Sequence, residues 1–334
     1  MFTMPINIKP SSVIDIESPW VFYNFHDYAI NSGDTTPSNN AWGTGAVSGL
    51  EALTTTGSPS WTASTGSISF GNNANSGAGS HYYTLALSSS GGPNWVSAFS
   101  LNGLQAAVFW MNITWLPGTT FRGNYSAATD YAVDDVVNSS GTLYICIQIN
   151  GPATVVKATS DAAYWTAIGV HCIFQVGNQN SASATQGFKI MANGNSGSST
   201  GGRFECRYQG NTHTADQTAH PNTSAIVPGV ETTVAFIFNL ATQQVTFYQD
   251  GNQSGSVSNM ASSPSTVTIN SSTNSKVHFG VAQEGGSTEK SYRGYLRRFG
   301  YVKLTAVPTN IADIVKEITN SKRKGFPGYL SNGL

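Results

Sequence analysis

Charge is what this sequence has least of. Asp, Glu, Lys and Arg make up 10% of its 334 residues, against roughly a quarter in an average soluble domain, and the net charge is -1. Binding to nucleic acid needs clustered Lys and Arg that neutralise phosphates. The basic cluster here, Lys322, Arg323 and Lys324, reads as a solvated tail, which argues against a nucleic-acid partner. Long apolar runs are missing too. No segment approaches the ~20 apolar residues of a membrane span. The opening MFTMPINIKPSSVIDIESPW lacks the basic stretch and apolar run of a secretory signal, so no membrane insertion is expected. The cysteines, Cys146, Cys172 and Cys206, are odd in number and show no paired spacing. That pattern speaks against a disulfide framework or a metal knuckle and for buried free thiols.

What is present is Gly, Ser, Thr and Asn around a sufficient apolar fraction. The 39% hydrophobic and 11% aromatic content excludes disorder, which requires few aromatics and low hydrophobicity. Strand-length segments rich in β-branched and aromatic residues alternate with turn residues. Such segments are Gly66–Phe70, His81–Leu87, Ala106–Trp115, Val170–Val176, Gly187–Met191, Gly202–Tyr208, Val245–Asp250, Thr266–Ile269, Lys276–Gly280 and Tyr292–Leu304. In Glu231–Leu240, residues Val234, Phe236, Phe238 and Leu240 recur at period two, the pattern of a half-buried strand. Asp250 and Gly251 supply a tight hairpin turn. Ser88–Pro93 and Gly71–Gly77 are expected to be loops. One helix is expected, over Asn310–Ile318, with a capping residue, an acid at the third position, and Ile311, Ile314, Val315 and Ile318 on one face.

Catalytic and metal motifs are scarce. Glycoside cleavage takes two carboxylates flanking the bond, but Glu205, Glu231, Glu284 and Glu289 are scattered and no Glu-x-Asp-x-x-Glu pattern occurs. His213, Asp216 and His220 share a polar loop. They could bind a metal, but solvation is the simpler use of such a loop. A calcium role for Asp250 competes with its turn role, which Asp-Gly requires anyway. No phosphate loop, nucleophile elbow or Cys–His pair is found. The expectation is no enzyme, no metal and no cofactor.

Two resemblances organise the rest. The succession of the Glu231–Leu240 strand, FYQDG, VHFG, YRGYLRRFGYVKL and a short helix resembles the laminin-G-like group of the concanavalin A-type lectin and glucanase sandwiches. It covers about Asn94 to Ile318 without residues 121–169. Within FRGNYSAATDYAVDDVVNSSGTLYICIQINGPATVVKATSDAAYWTAIG, the residues Tyr125, Tyr131, Asp134, Asp135, Gly141, Tyr144, Cys146, Pro152 and Trp165 resemble the chitin- and cellulose-binding modules of chitinases and of many phage tail proteins. That family shows a pair of exposed Trp residues after its second hairpin strand, whereas this chain has Ile147–Asn150 there.

The resulting expectation is all-β: a concanavalin A-like jelly-roll sandwich with a small three-stranded β module inserted in a loop and one short C-terminal helix. Its boundaries are 1–19 for an extended arm, 20–117 and 170–318 for the sandwich, 118–169 for the module and 319–334 for a tail. Because loop-closure entropy grows slowly with length, the module is expected to protrude. Candidate carbohydrate-binding residues are Tyr125, Tyr131, Tyr144, Tyr164 and Trp165, since aromatics present an apolar face and a polar edge to a sugar. Tyr144 and Trp165 have a second use open to them, as the module's mini-core. Functionally, the resemblances imply a phage virion protein (tail, baseplate, fibre or head decoration) that binds host cell-surface polysaccharide for attachment, with other virion proteins as partners and a homo-oligomeric state. The alternatives are a purely structural virion component, with Tyr292, Tyr295, Phe299 and Tyr301 at a subunit interface, and a secreted lectin or glycosidase fragment.

Overall fold

A computed structural model describes residues 20–24, 54–57, 59–62, 67–71, 81–86, 92–152, 157–178, 187–195, 202–210, 217–221, 226–269, 275–284, 287–289 and 291–323. Among these residues the chain begins with β1 (Trp20–Asn24), β2 (Thr54–Thr56), β3 (Ser60–Thr62), β4 (Ser67–Gly71), β5 (Tyr82–Ala86), helix α1 (Gly92–Phe99), β6 (Leu101–Asn102) and β7 (Ala106–Trp115). The inserted segment contributes β8 (Thr120–Asn124), β9 (Asp135–Ser139), β10 (Thr142–Cys146) and β11 (Trp165–Ala167). Then come β12 (Val170–Asn178), β13 (Phe188–Asn193), β14 (Arg203–Tyr208), β15 (Gln217–Ala219), β16 (Glu231–Asn239), β17 (Gln244–Gln249), β18 (Asn252–Gln253) and β19 (Ser258–Asn259). The last elements are β20 (Thr266–Val267), β21 (Ser275–Phe279), β22 (Ala282–Glu284), β23 (Ser287–Glu289), β24 (Arg293–Leu304) and helix α2 (Ile311–Arg323).

These strands build an all-β jelly-roll sandwich. The larger sheet runs β18-β17-β16-β7-β24-β4-β3, with β1 also on β24 and β19 on β17; the smaller runs β15-β14-β13-β12-β21-β5-β2. All their pairings are antiparallel. Successive side chains of a strand point to opposite faces, so Ala107, Phe109, Met111, Ile113 and Trp115 of β7 enter the space between the sheets. There an aromatic layer joins the two sheets: Phe109 lies 5.1 Å from Phe188 and Phe174 lies 4.4 Å from Phe299, centroid to centroid.

The expected Asp250-Gly251 turn is present, with φ of 50° and 83°. The three cysteines are free and buried. The strand Glu231–Asn239, expected to be half-buried, is instead buried on both faces. Ala235 and Ile237 lie with Ala106, Val108 and Trp110 in a second core on the outer side of the sheet, under Val315 and Ile311 of α2. Helix α2 runs to Arg323, past the expected end at Ile318 and into the residues read as tail; the side chain of Ile318 and residues beyond Arg323 lie outside the described residues, as do 1–19.

Helix α1 corrects the expectation of a single helix and of a loop through Pro93. Gly92 and Pro93 open it, where a missing N–H costs nothing because the first turn's donors have no intrahelical partner. Its end is fastened by β24: the Tyr301 hydroxyl donates to the Ala98 carbonyl at 2.6 Å, and Lys303 Nζ donates to the Ser97 and Ser100 carbonyls at 2.7 and 3.2 Å. A cation on the terminal carbonyls also complements the helix dipole. Burial holds the Lys303 ammonium below the usual lysine range.

The insert has four strands rather than three, in the order β11-β10-β9-β8, because β8 joins β9 in parallel. Tyr125 lies just beyond β8. The module also packs onto the sandwich. Val136, Leu143, Ile145 and Ile168 belong to the same continuous core as the sandwich interior, and the Leu143 N–H donates to the Gly194 carbonyl at 2.8 Å. Leu143→Ala is therefore expected to destabilise the whole protein by about 2–5 kcal/mol, with one shared melting transition. A separate early transition of the module, with the main transition unmoved, would contradict the shared core.

Alkaline stability follows from the buried phenols. Burial pushes Tyr292 and Tyr301 well above the usual tyrosine range and Tyr208 up to about 12. An unfolded chain releases these protons near pH 10, whereas the folded state keeps them. The stabilisation is thus fully present below about pH 10 and is lost as pH climbs from there toward about 12, with Tyr208 alone worth about 1.4 kcal/mol per pH unit. Melting temperatures should be level up to about pH 10 and drop above it; a level profile beyond pH 11 would mean that these hydroxyls ionise freely in the native state.

Candidate functional site

The five aromatic residues expected to meet sugar gather in one cluster on the side of the module away from the sandwich. Tyr131 and Trp165 are each 2% exposed and, with Val137 and Cys146, form its buried centre; Tyr125, Tyr144 and Tyr164 pack around them, half-buried. Tyr125 stacks on Tyr131 at 5.8 Å, and Trp165 meets the Tyr131 ring edge-to-face at 5.1 Å. Their polar atoms are engaged internally. The Lys157 carbonyl accepts from the Tyr125 hydroxyl at 3.1 Å, Asn150 Nδ2 at 2.9 Å and Trp165 Nε1 at 3.0 Å. The Tyr131 hydroxyl donates to the Ser126 carbonyl at 3.0 Å. Burial, and secondarily the adjacent Tyr131, push the Tyr125 phenol up. A ring buried to this degree has no free face for a sugar, so Tyr131 and Trp165 serve as mini-core. A module of this size has little else with which to fill its interior.

The cleft of interest lies elsewhere, on the outer face of the larger sheet. Along three neighbouring strands that face changes character at one level. On β7, Ala106, Val108 and Trp110 lie in the core under α2, and Asn112 and Thr114 continue the same face outside it. On β16, Ile237 and Ala235 give way to Thr233 and Glu231. On β24, Leu304 and Val302 give way to Arg297 and Tyr295. Where the helix cover stops, a cleft of about 370 Å³ opens, lined by Asn112, Thr114, Glu231, Tyr295, Arg297 and Ser67, with Ile113, Leu116 and Gly229 completing it.

Sheet register sets its geometry. Glu231, Thr114, Tyr295 and Ser69 stand abreast on four adjacent strands, each about 4.8 Å from the next. A bulge at Leu296/Arg298 adds a residue to β24, and such bulges re-aim side chains. Arg297 spans β7 to reach Glu231, Nη1 to Oε1 3.5 Å, with 24% and 30% of the two side chains exposed. Beneath them, buried Asn112 donates through Nδ2 to Thr233 Oγ1 at 2.7 Å.

Gly294 fixes Tyr295 in place. Its φ is 148°, and a Cβ there would fall 2.2 Å from the Thr114 carbonyl and 2.8 Å from the Tyr292 hydroxyl. The room goes to that hydroxyl, which donates to the Thr114 carbonyl at 2.9 Å and reaches the Tyr295 carbonyl at 3.4 Å. Two residues before Tyr295, Arg293 Nη2 binds Asp134 Oδ2 of the module at 3.3 Å, so the module is anchored beside the cleft. None of the cleft's polar residues was singled out by sequence reasoning as a sugar ligand. The signal that could have found them is the change from apolar to polar among the alternate residues of AAVFWMNITW, ETTVAFIFN and RGYLRRFGYVKL.

The other candidates fall away from this site. Glu205, 1% exposed on β14 of the smaller sheet, accepts from Asn193 Nδ2 at 2.9 Å and Arg207 Nη2 at 3.1 Å. Asp250 Oδ1 accepts from the Thr233 N–H at 3.0 Å as part of its turn. His220 Nδ1 sits 3.4 Å from the Pro221 carbonyl, while His213 and Asp216 lie outside the described residues, as do the side chains of Glu284 and Glu289. Among the described residues no three His, Cys, Asp or Glu side chains converge as a metal site.

By sequence, the chain matches no protein-family profile and no curated protein. Among solved structures it is similar to the CBM40 of the Ruminococcus gnavus IT-sialidase, with a TM-score of 0.41 and 13% identity over 76% of this chain and 96% of that one. That module is also known bound to alpha2,3 sialyllactose. A native heptameric SAP-like pentraxin from Limulus polyphemus gives a TM-score of 0.40 and 12% identity over 76% of this chain and 81% of its own. The assignment as a jelly-roll sandwich rests on the strand order itself.

Proposed function

We propose that this chain is a carbohydrate-binding protein and that the cleft on the outer face of the larger sheet is its sugar site. The observation that carries this reading is the composition of the cleft: a half-buried tyrosine beside hydroxyl and amide groups and one solvent-touched ion pair, in about 370 Å³. Tyrosine offers an apolar face to the C–H side of a sugar ring and a hydroxyl at its edge. A few fixed polar groups around an apolar surface are the usual make-up of a small-ligand site, and the volume falls within its usual range of about 300–1,000 Å³. Among the described lining residues Glu231 is the single carboxylate, whereas most glycosidases work with a pair. Binding is accordingly the activity assigned.

The finer part of the proposal is attachment: a virion protein, of tail, baseplate, fibre or head decoration, that holds host cell-surface polysaccharide as a homo-oligomer among other virion proteins. It is supported by the low charge of the chain and by the insert's resemblance to modules of phage tail proteins. Tyr295→Ala should lower affinity for glycans bound on an array and by calorimetry by about ten-fold or more while leaving the melting temperature in place. Undiminished binding by this variant would remove the cleft from consideration.

A second reading has its own observation. On the module, Val133, Ile147 and Ile149 are 51%, 42% and 71% exposed, and the Asp134 N–H bonded to the Cys146 carbonyl at 2.8 Å holds their two segments side by side. Exposed aliphatic side chains suit a protein contact more than a sugar, which favours a structural role for the module within an assembly. Ile149→Asp should then reduce the oligomer mass measured by light scattering. An unchanged mass would count against that role.

A further inference from the structure

On β7 the cleft presents an acceptor and a donor that are unengaged among the described residues. Asn112, 1% exposed, spends its Nδ2 on Thr233 Oγ1. That leaves Oδ1 as an acceptor, and this atom is not sealed from solvent. Thr114, the next residue on the same face, is half-buried, and its hydroxyl has no bonded partner among the described residues. Both residues line the cleft. Two residues along a strand their Cα atoms are about 6.7 Å apart. One hydroxyl placed between them, with O–H···O bonds of about 2.8 Å on either side, spans about 5.6 Å. Tyr295 stands opposite Thr114 in the register and offers its ring as the wall on which a sugar lies.

Resting on the reading of this cleft as a sugar site, we infer that it selects a pyranose with a free hydroxymethyl arm and that Asn112 and Thr114 are the residues that read this arm. With the ring against Tyr295, the arm drops between the two side chains, and its hydroxyl donates to Asn112 Oδ1 while accepting from the Thr114 hydroxyl. A hydroxyl does both at once. The arm's extra carbon supplies the reach that a nearly buried Asn112 requires, which a hydroxyl held directly on the ring lacks. A methyl in its place leaves both protein atoms desolvated and unpaired, and an unmade hydrogen bond is costly in such a site. A carboxylate in its place carries acceptors only and has no proton to give Oδ1. Arg298 stands opposite Asn112 in the register and, as a cation, attracts a carboxylate, so the acidic sugar is the competitor to be tested.

The test is calorimetry on the full chain with glucose, galactose and mannose glycosides, each in three forms that differ only at the exocyclic carbon: hydroxymethyl, methyl (6-deoxy) and carboxylate (uronic acid). Wild type is compared with Thr114→Val, Asn112→Ala and Tyr295→Ala, and melting curves serve as folding controls. If Asn112→Ala does not fold, Thr114→Val decides. The expected result is that a hydroxymethyl form binds at least about ten-fold more tightly than its methyl and carboxylate counterparts, and that Thr114→Val and Asn112→Ala each narrow this preference to about two-fold. Equal binding of the hydroxymethyl and methyl forms, lost in Tyr295→Ala, overturns the inference and leaves the sugar site standing. Preference for the uronic acid, lost in the same variant, does likewise. A hydroxymethyl preference that the folded variants keep overturns the assignment to Asn112 and Thr114. Failure of every glycoside to bind overturns the sugar site and the inference together.

Discussion

Strand β7 is the constraint around which the molecule is arranged. It pairs along its length with β16 on one side and β24 on the other, so neither backbone edge is left to solvent and both its faces are decided by what covers them. One face meets the aromatic layer of the sandwich for its whole length. The other is covered by α2 over only part of its length, and where that cover ends the strand must turn polar or expose apolar side chains to water. Asn112 and Thr114 are that solution. The candidate binding surface thus lies where a helix stops short of a sheet's end.

The inserted module is held by the same economy of burial. Its central strands have two apolar faces: one merges with the sandwich core through Val136, Leu143 and Ile145, and the other is closed by Tyr125, Tyr131, Tyr144 and Trp165. Neither face alone amounts to a domain core, and fifty residues bury too little surface to stand comfortably alone. Docking also aims the module. With Arg293 on Asp134 and the Leu116 N–H on the Arg293 carbonyl at 3.0 Å, its position is tied to the strand that carries Tyr295 and Arg297.

Much of the fold could be read from the sequence because long strands carry a strong local signal. Ala106–Trp115, Glu231–Asn239 and Arg293–Leu304 are dense in β-branched and aromatic residues and bounded by turns. Helix α1 escaped because it is short and opens on Gly92 and Pro93, residues that mark loops as readily as helix starts. The double burial of β16 was hidden because period-two reasoning assigns one face to solvent until a helix is known to cover it. The cleft was least legible. Thr114, Glu231 and Tyr295 are far apart in the chain and meet only through register, and each occupies an outward position within a strand whose inward residues dominate its pattern. The module's aromatics pose the opposite difficulty, since composition does not tell a ring that covers a core, as Tyr131 and Trp165 do, from one that offers its face to a ligand.

The Lys157 carbonyl, on which Tyr125, Asn150 and Trp165 converge, ties the module together through a main-chain atom. No substitution can delete a peptide oxygen, and the Lys157 side chain itself points to solvent. Position 157 can therefore carry any side chain that leaves its N–H in place, since that N–H donates to Asn150 Oδ1 at 2.7 Å, while remaining the point on which three side chains depend. What cannot change freely is spacing: a residue gained or lost between positions 157 and 165 would move the acceptor away from its donors. In a set of relatives this network would be recorded as a constant interval flanked by Asn150 and Trp165, with a variable letter at its centre.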